Sequence, residues 1–142
     1  MVDQVWSQLD DKTRDCCCIW SVYCRILLSD KRISEARPFL DEIQHQAYSN
    51  PLCNNEILQG LYSGKYYEEC LHFYKGLQTL DPAGGNLGDV TSYYSALKAA
   101  YQLHDYRQVV DLHAVLKKRN LPMSRSIVYI LAEVIASWIV HL

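Results

Sequence analysis

Residues Val90–Ser124, VTSYYSALKAAYQLHDYRQVVDLHAVLKKRNLPMS, read as two amphipathic helices folded back on each other. In the first, Tyr93, Ala96, Leu97, Ala100 and Tyr101 recur at spacings that place them on one helical stripe. A break follows at His104-Asp105, where Asp105 can cap a second helix by accepting from its free amides. Tyr106, Val109, Val110, Leu112, Val115 and Leu116 give that helix a broad apolar face. Lys117, Lys118 and Arg119 fall in its last turn, where the helix macrodipole favours positive charge. Asn120 tolerates the left-handed conformation and Pro122 cannot extend the ladder, so the helix ends there. The unit is 35 residues long.

The same pattern can be laid over the chain upstream. A close helix crossing needs a small side chain in the middle of the second helix, and Ala36, Cys70 and Val109 fall at that point. The apolar residues seven positions later are Ile43, Leu77 and Leu116, spaced by 34 and 39 residues. The longer spacing contains the insertion Pro82–Gly88, rich in glycine. A self-similar period of this size marks stacked helical hairpins, each burying its face on its neighbours. An irregular bundle of similar hairpins is the alternative.

In chain order, Val2, Val5, Trp6 and Leu9 share one face of a short N-terminal helix within residues 1–12, suited to capping the first hairpin. That hairpin occupies residues 17–50, with a first helix from about Arg14 to Leu28 and a return from Ile33 to about His45. Pro38 lies inside the return, which predicts a late start or a kink. After the Ser49-Asn50-Pro51 turn, the second hairpin covers 51–89, the third 90–124, and an apolar half-repeat 125–142.

One domain of 142 residues is expected, with net charge −2 and therefore no bulk positive field to draw a polyanion. Early acidic residues argue against a secretory signal, and no Arg-rich transit segment stands at the start. The six cysteines show no metal-ligand spacing, since Cys16, Cys17 and Cys18 diverge around a helix and Cys24, Cys53 and Cys70 lie in separate helical patterns. They read as small buried hydrophobes in a reducing compartment, with no metal or other cofactor expected. No glycine-rich phosphate loop, nucleophile elbow or paired zinc histidines are present, and no catalytic residue is expected.

The last stretch differs from the rest. Ile127 to Leu142 is apolar around nearly its whole circumference, yet it is short for a membrane span and carries Glu133, so no transmembrane span is expected. It stands where the first helix of a fourth hairpin would. Tyr129, Leu131, Val134, Ile135, Trp138, Ile139 and Leu142 are the candidate partner interface, to be covered by more chain, a second copy or another protein.

The hairpin Val90–Ser124 resembles the pentatricopeptide repeat. The resemblance rests on Val90-Thr91 and Tyr93, the alanine-containing first helix, the run Asp105–Val110, and Leu116; Lys31–Ala36 and Gly64–Cys70 match more weakly. The tetratricopeptide repeat is similar but wants alanine where Ile43, Leu77 and Leu116 stand, and a proline slightly before Pro122. The resemblance implies an all-α, right-handed α-solenoid of about three and a half hairpins, and favours a mitochondrion or plastid, while the residues alone leave the cytoplasm open. It also implies single-stranded RNA binding, one base per repeat. The reading pairs would be Ser21 with Asn50, Asn55 with Asp89, and Tyr94 with Ser124, with Tyr94 departing from the family's residue types. Without a basic groove such binding would be weak. The leading expectation is a non-catalytic interaction module, an accessory or scaffold subunit of a larger protein assembly. Single-stranded RNA recognition in organelle RNA processing or translation is the alternative.

Overall fold

The computed structural model describes residues 2–46, 48, 50–80 and 90–140. Among these the regular structure is all α-helical: α1 (Val2–Gln8), α2 (Asp11–Arg14), α3 (Cys17–Ser29), α4 (Ile33–His45), α5 (Pro51–Ser63), α6 (Tyr67–Leu80), α7 (Val90–Gln102), α8 (Tyr106–Lys118) and α9 (Arg125–Val140). The N-terminal segment splits into two helices, not one. Asp10 caps the single turn of α2 by accepting from the Thr13 amide at 2.7 Å, which moves the start of α3 past Arg14 to Cys17.

Each first helix ends in the same backbone turn. Lys31, Lys65 and His104 adopt left-handed conformations, with φ of 62°, 65° and 58°. Their amides donate to the carbonyls of Leu28, Tyr62 and Tyr101, each at 3.0 Å. The next amides, of Arg32, Tyr66 and Asp105, reach back to Leu27, Leu61 and Ala100 at 2.9, 2.8 and 3.0 Å. This is the Schellman arrangement, and it satisfies carbonyls that a helix end leaves free. Asn120 repeats it at the end of α8, with φ of 53°. Gly64 is not the left-handed residue of its turn. A Cβ there would strike the Leu28 carbonyl and come within 2.8 Å of the Tyr66 ring, so close packing explains that glycine.

Helices pack in two ways. Each first helix packs on the helix that follows it, α3 on α4, α5 on α6 and α7 on α8. The first helices also pack on one another in succession, α3 on α5, α5 on α7 and α7 on α9. At the first of these contacts Gly60 permits the approach, since a Cβ would lie 3.0 Å from the Arg25 Cα and 3.1 Å from Leu28. In the second helices Ala36, Cys70 and Val109 are wholly buried, and Ile43, Leu77 and Leu116 are buried one turn pair later. Cys70 shows why the small residue matters: its sulfur lies 3.7 Å from the Leu58 carbonyl and 3.8 Å from that of Ser95, between α5 and α7. Asn50 and Asp105 cap α5 and α8 through the amides of Leu52 (3.0 Å) and Gln108 (3.3 Å). α4 does not start late, because it begins at Ile33 and carries Pro38 in its interior. Proline there lacks the N–H that would donate one turn back, a loss of about 3 kcal/mol that packing must offset.

The cysteines depart from the sequence expectation. Cys24 and Cys70 are buried and free, but Cys16 and Cys18 are exposed, and Cys17 is bridged to Cys53 with Cα atoms 6.8 Å apart. The bridge spans 36 residues, close to the hairpin repeat, because α3 and α5 lie side by side with their first turns level. Burial pushes the Cys24 and Cys70 thiols up to about 12. A thiol reagent at pH about 8 should therefore label Cys16 and Cys18 in the native chain and Cys24 and Cys70 only after unfolding. Cys17 and Cys53 should add to the count only after reduction, and their appearance without reductant would show the pair open. Lys65→Gly should stabilise the chain by about 0.5–1 kcal/mol in urea unfolding, since a lysine held left-handed costs roughly 1–2 kcal/mol and glycine returns part of that as lost entropy. A destabilised variant would contradict the left-handed turn.

Candidate functional site

Aligning α3, α5, α7 and α9 from their first residues, Cys17, Pro51, Val90 and Arg125, compares like positions. One set faces the second helices: Trp20, Cys24 and Leu27 in α3, with Asn54, Leu58 and Leu61 in α5 and Tyr93, Leu97 and Ala100 in α7. All of these are buried. Their equivalents in α9 are Val128, Ala132 and Ile135, and all three are exposed, the valine by 50% and the isoleucine by 56%. Tyr129, equivalent to buried Ser21 and Asn55, is 60% exposed. The opposite side of α9 is covered, with Ile127 and Val134 fully buried where α9 meets α7 and α8.

The candidate interface is therefore divided. Tyr129 and Ile135 face outward and Leu131 is half-buried. Val134 cannot dock a partner, because it is fully buried at the position of Gly60, which faces the preceding first helix. The side chains of Trp138 and Ile139, and all of Leu142, lie outside the described residues. Val128 belongs to the outward face, which the sequence does not distinguish because a helix apolar all round gives no direction. Only the burial of its equivalents singles it out.

The residues expected to read bases are held in structural bonds. Ser21 is buried and its hydroxyl donates to the Cys18 carbonyl at 3.2 Å. Asn55 is buried and its side-chain oxygen accepts from the Ser92 hydroxyl. Asn50 caps α5, and the Ser124 hydroxyl accepts from the Ile127 amide at 3.4 Å at the start of α9. The Tyr94 hydroxyl donates to the Pro122 carbonyl. Asp89 lies outside the described residues. Along the open face of the first helices, Arg25 pairs with Glu56, Lys98 sits 6.0 Å from the Tyr62 ring and Glu133 accepts from Tyr101. Positive and negative groups there balance. Arg119 is more than a complement to the α8 macrodipole, since its guanidinium lies 5.2 Å over the Tyr93 ring and donates to the Tyr93 hydroxyl.

Near the N-terminus, α1 packs on α3 and α4. Trp6 stacks on Tyr23 at 4.2 Å and meets Phe39 edge-on at 5.8 Å. Asp3 accepts from Arg32 at 2.9 and 3.0 Å and from the Tyr23 hydroxyl at 3.0 Å. This leaves Val5, Ile19 and Val22 exposed beside it, by 54%, 40% and 38%. Grooves of about 390 and 610 Å³ separate α4 from α6 and α6 from α8, lined mainly by polar side chains such as Gln44, Glu69, His72, Gln78 and Asp111. Among the described residues no group of three His, Cys, Asp or Glu side chains could hold a metal ion, and no helix is long and apolar enough to cross a membrane. Compared with family models, curated proteins and solved structures, the chain finds no match.

The docking of α1 is expected to be acid-sensitive. Hydrogen bonds from Arg32 and then Tyr23 hold the Asp3 carboxyl below its ordinary value of 3.8. A depressed carboxylate contributes its stability above the ordinary value and loses it as pH falls through the lower, folded one. Near-UV circular dichroism of the Trp6–Tyr23 stack should thus hold down to pH 3.8 and weaken below it. Asp3→Asn should show the weakened signal already at neutral pH; a spectrum indifferent to both changes would remove Asp3 from the docking of α1.

Proposed function

We propose that the chain is a right-handed α-solenoid of about three and a half pentatricopeptide-like hairpins and acts as a non-catalytic protein-interaction module, an accessory or scaffold subunit of a larger assembly. The succession of first helices and the repeated left-handed turns at Lys31, Lys65 and His104 support the repeat architecture. One observation carries the function. Positions buried in α3, α5 and α7 are exposed apolar side chains in α9, so the stack ends on a surface built like its own interior. Such a surface gains on being covered by about 25 cal/mol for each Å² of apolar area removed from water. The open face of the first helices supports RNA reading less well, because its charges balance and Ser21 and Asn55 are turned inward.

The test is purification of the chain from its native source with identification of what comes with it. A protein partner should remain bound as salt is raised from about 0.05 to 0.2 M, since apolar contacts carry no counterion release, and Ile135→Glu should lose it. Retained RNA that dissociates steeply over the same range, with Ile135→Glu indifferent, would replace the protein reading with the RNA one.

A further inference from the structure

We infer that the surface covering α9 is the opposite end of a second copy of this chain, giving head-to-tail association. The inference rests on the proposed repeat architecture and names the partner of that same face. Large exposed apolar side chains gather at both ends of the stack: Val128, Tyr129 and Ile135 on α9, and Val5, Ile19 and Val22 on α1 and α3. The two groups are unlike faces. Ile19 is the α3 equivalent of Cys53, Ser92 and Ile127, which are all buried, Cys53 against Cys17 of α3 and Ser92 against Asn55 of α5. Thus α9 presents the side of a first helix that a second helix covers, with Tyr129 at the position that faces the next first helix, and α3 presents the side that the previous first helix covers. Each end lacks what the other supplies.

The place of α1 fits the same scheme. Within the chain α6 packs on α7, the first helix of the following hairpin, and its Tyr74 ring meets Tyr93 of α7 at 5.7 Å. α1 likewise lies against α3, through Trp6 on Tyr23, and reaches Phe39 of α4. Set against α9 of another copy, α1 takes the role that α4, α6 and α8 play for α3, α5 and α7, and Val5 meets Val128 and Ile135. The second copy thereby brings a packed second helix and the next first helix together. Because the two faces differ, the contact is heterologous and does not close on itself as a twofold dimer does. Arg125 and Glu133 at the edges of the exposed α9 face carry opposite charges, so no like-charge field opposes the approach.

Sedimentation equilibrium of the 142-residue chain tests this. The average mass should climb with concentration past twice the 16.4 kDa chain mass without a plateau. Tyr129→Glu spoils only the α9 face and Ile19→Glu only the α3 face; both side chains are exposed, and unchanged helical circular dichroism establishes that each variant folds. Each alone should weaken association by at least about tenfold. Mixed in equal amounts they retain one intact contact between them and should form a one-to-one dimer that grows no further. A wild type that stays monomeric, a closed dimer insensitive to Ile19→Glu, or variants that fail to complement would each overturn the inference. A monomer that still holds a different protein, released by Ile135→Glu, overturns the second copy and leaves the interaction-module reading standing. A monomer from which Ile135→Glu releases nothing overturns both.

Discussion

The left-handed residue that ends each first helix is the constraint from which the rest follows. Lys31, Lys65 and His104 stand at the same distance from the starts of α3, α5 and α7, and each closes the same pair of hydrogen bonds. With the turn fixed, the returning helix must lie back along the helix before it. Its apolar face then meets the same side of its partner every time. None of the three is glycine, so each turn is held against a local conformational preference by the packing of the helices it joins.

Close approach does that holding. Where α3 meets α5, Gly60 lets backbone come against Arg25 and Leu28, and Ala96, Ala99 and Ala100 supply small buried side chains along α7. Cys24 and Cys70 belong to the same scheme: each lies against a carbonyl of a neighbouring helix, and the absence of water there is what raises its thiol pKa. Burying a larger group at these points would force the helices apart, because interiors packed at crystal-like density accommodate extra volume only by shifting backbone.

Because the first helices touch one another in succession, the first and last of them differ from those between. In the interior each first helix is covered on both sides, whereas α3 and α9 are each covered on one. The exposed apolar side chains of α3 and α9 belong to this asymmetry. It also explains why the polar positions that the repeat resemblance assigns to base reading carry structure here. Ser21 and Asn55 lie between successive first helices, where a polar side chain must find a hydrogen-bond partner within the protein.

Much of the helical pattern could be read from residues alone. The period-3.6 stripes of α7 and α8, the cap at Asp105, the left-handed Asn120 and the buried series Ala36, Cys70 and Val109 all depend on local chemistry or a spacing of one repeat. Tertiary structure alone decided the remainder. The Cys17–Cys53 bridge needs α3 and α5 level with each other, and α4 continues through Pro38. Val134 turns inward while Val128 turns outward, though both are valines on one uniformly apolar helix. A stripe of apolar residues specifies that a face will be covered; which neighbour covers it depends on where the chain has already placed its other helices.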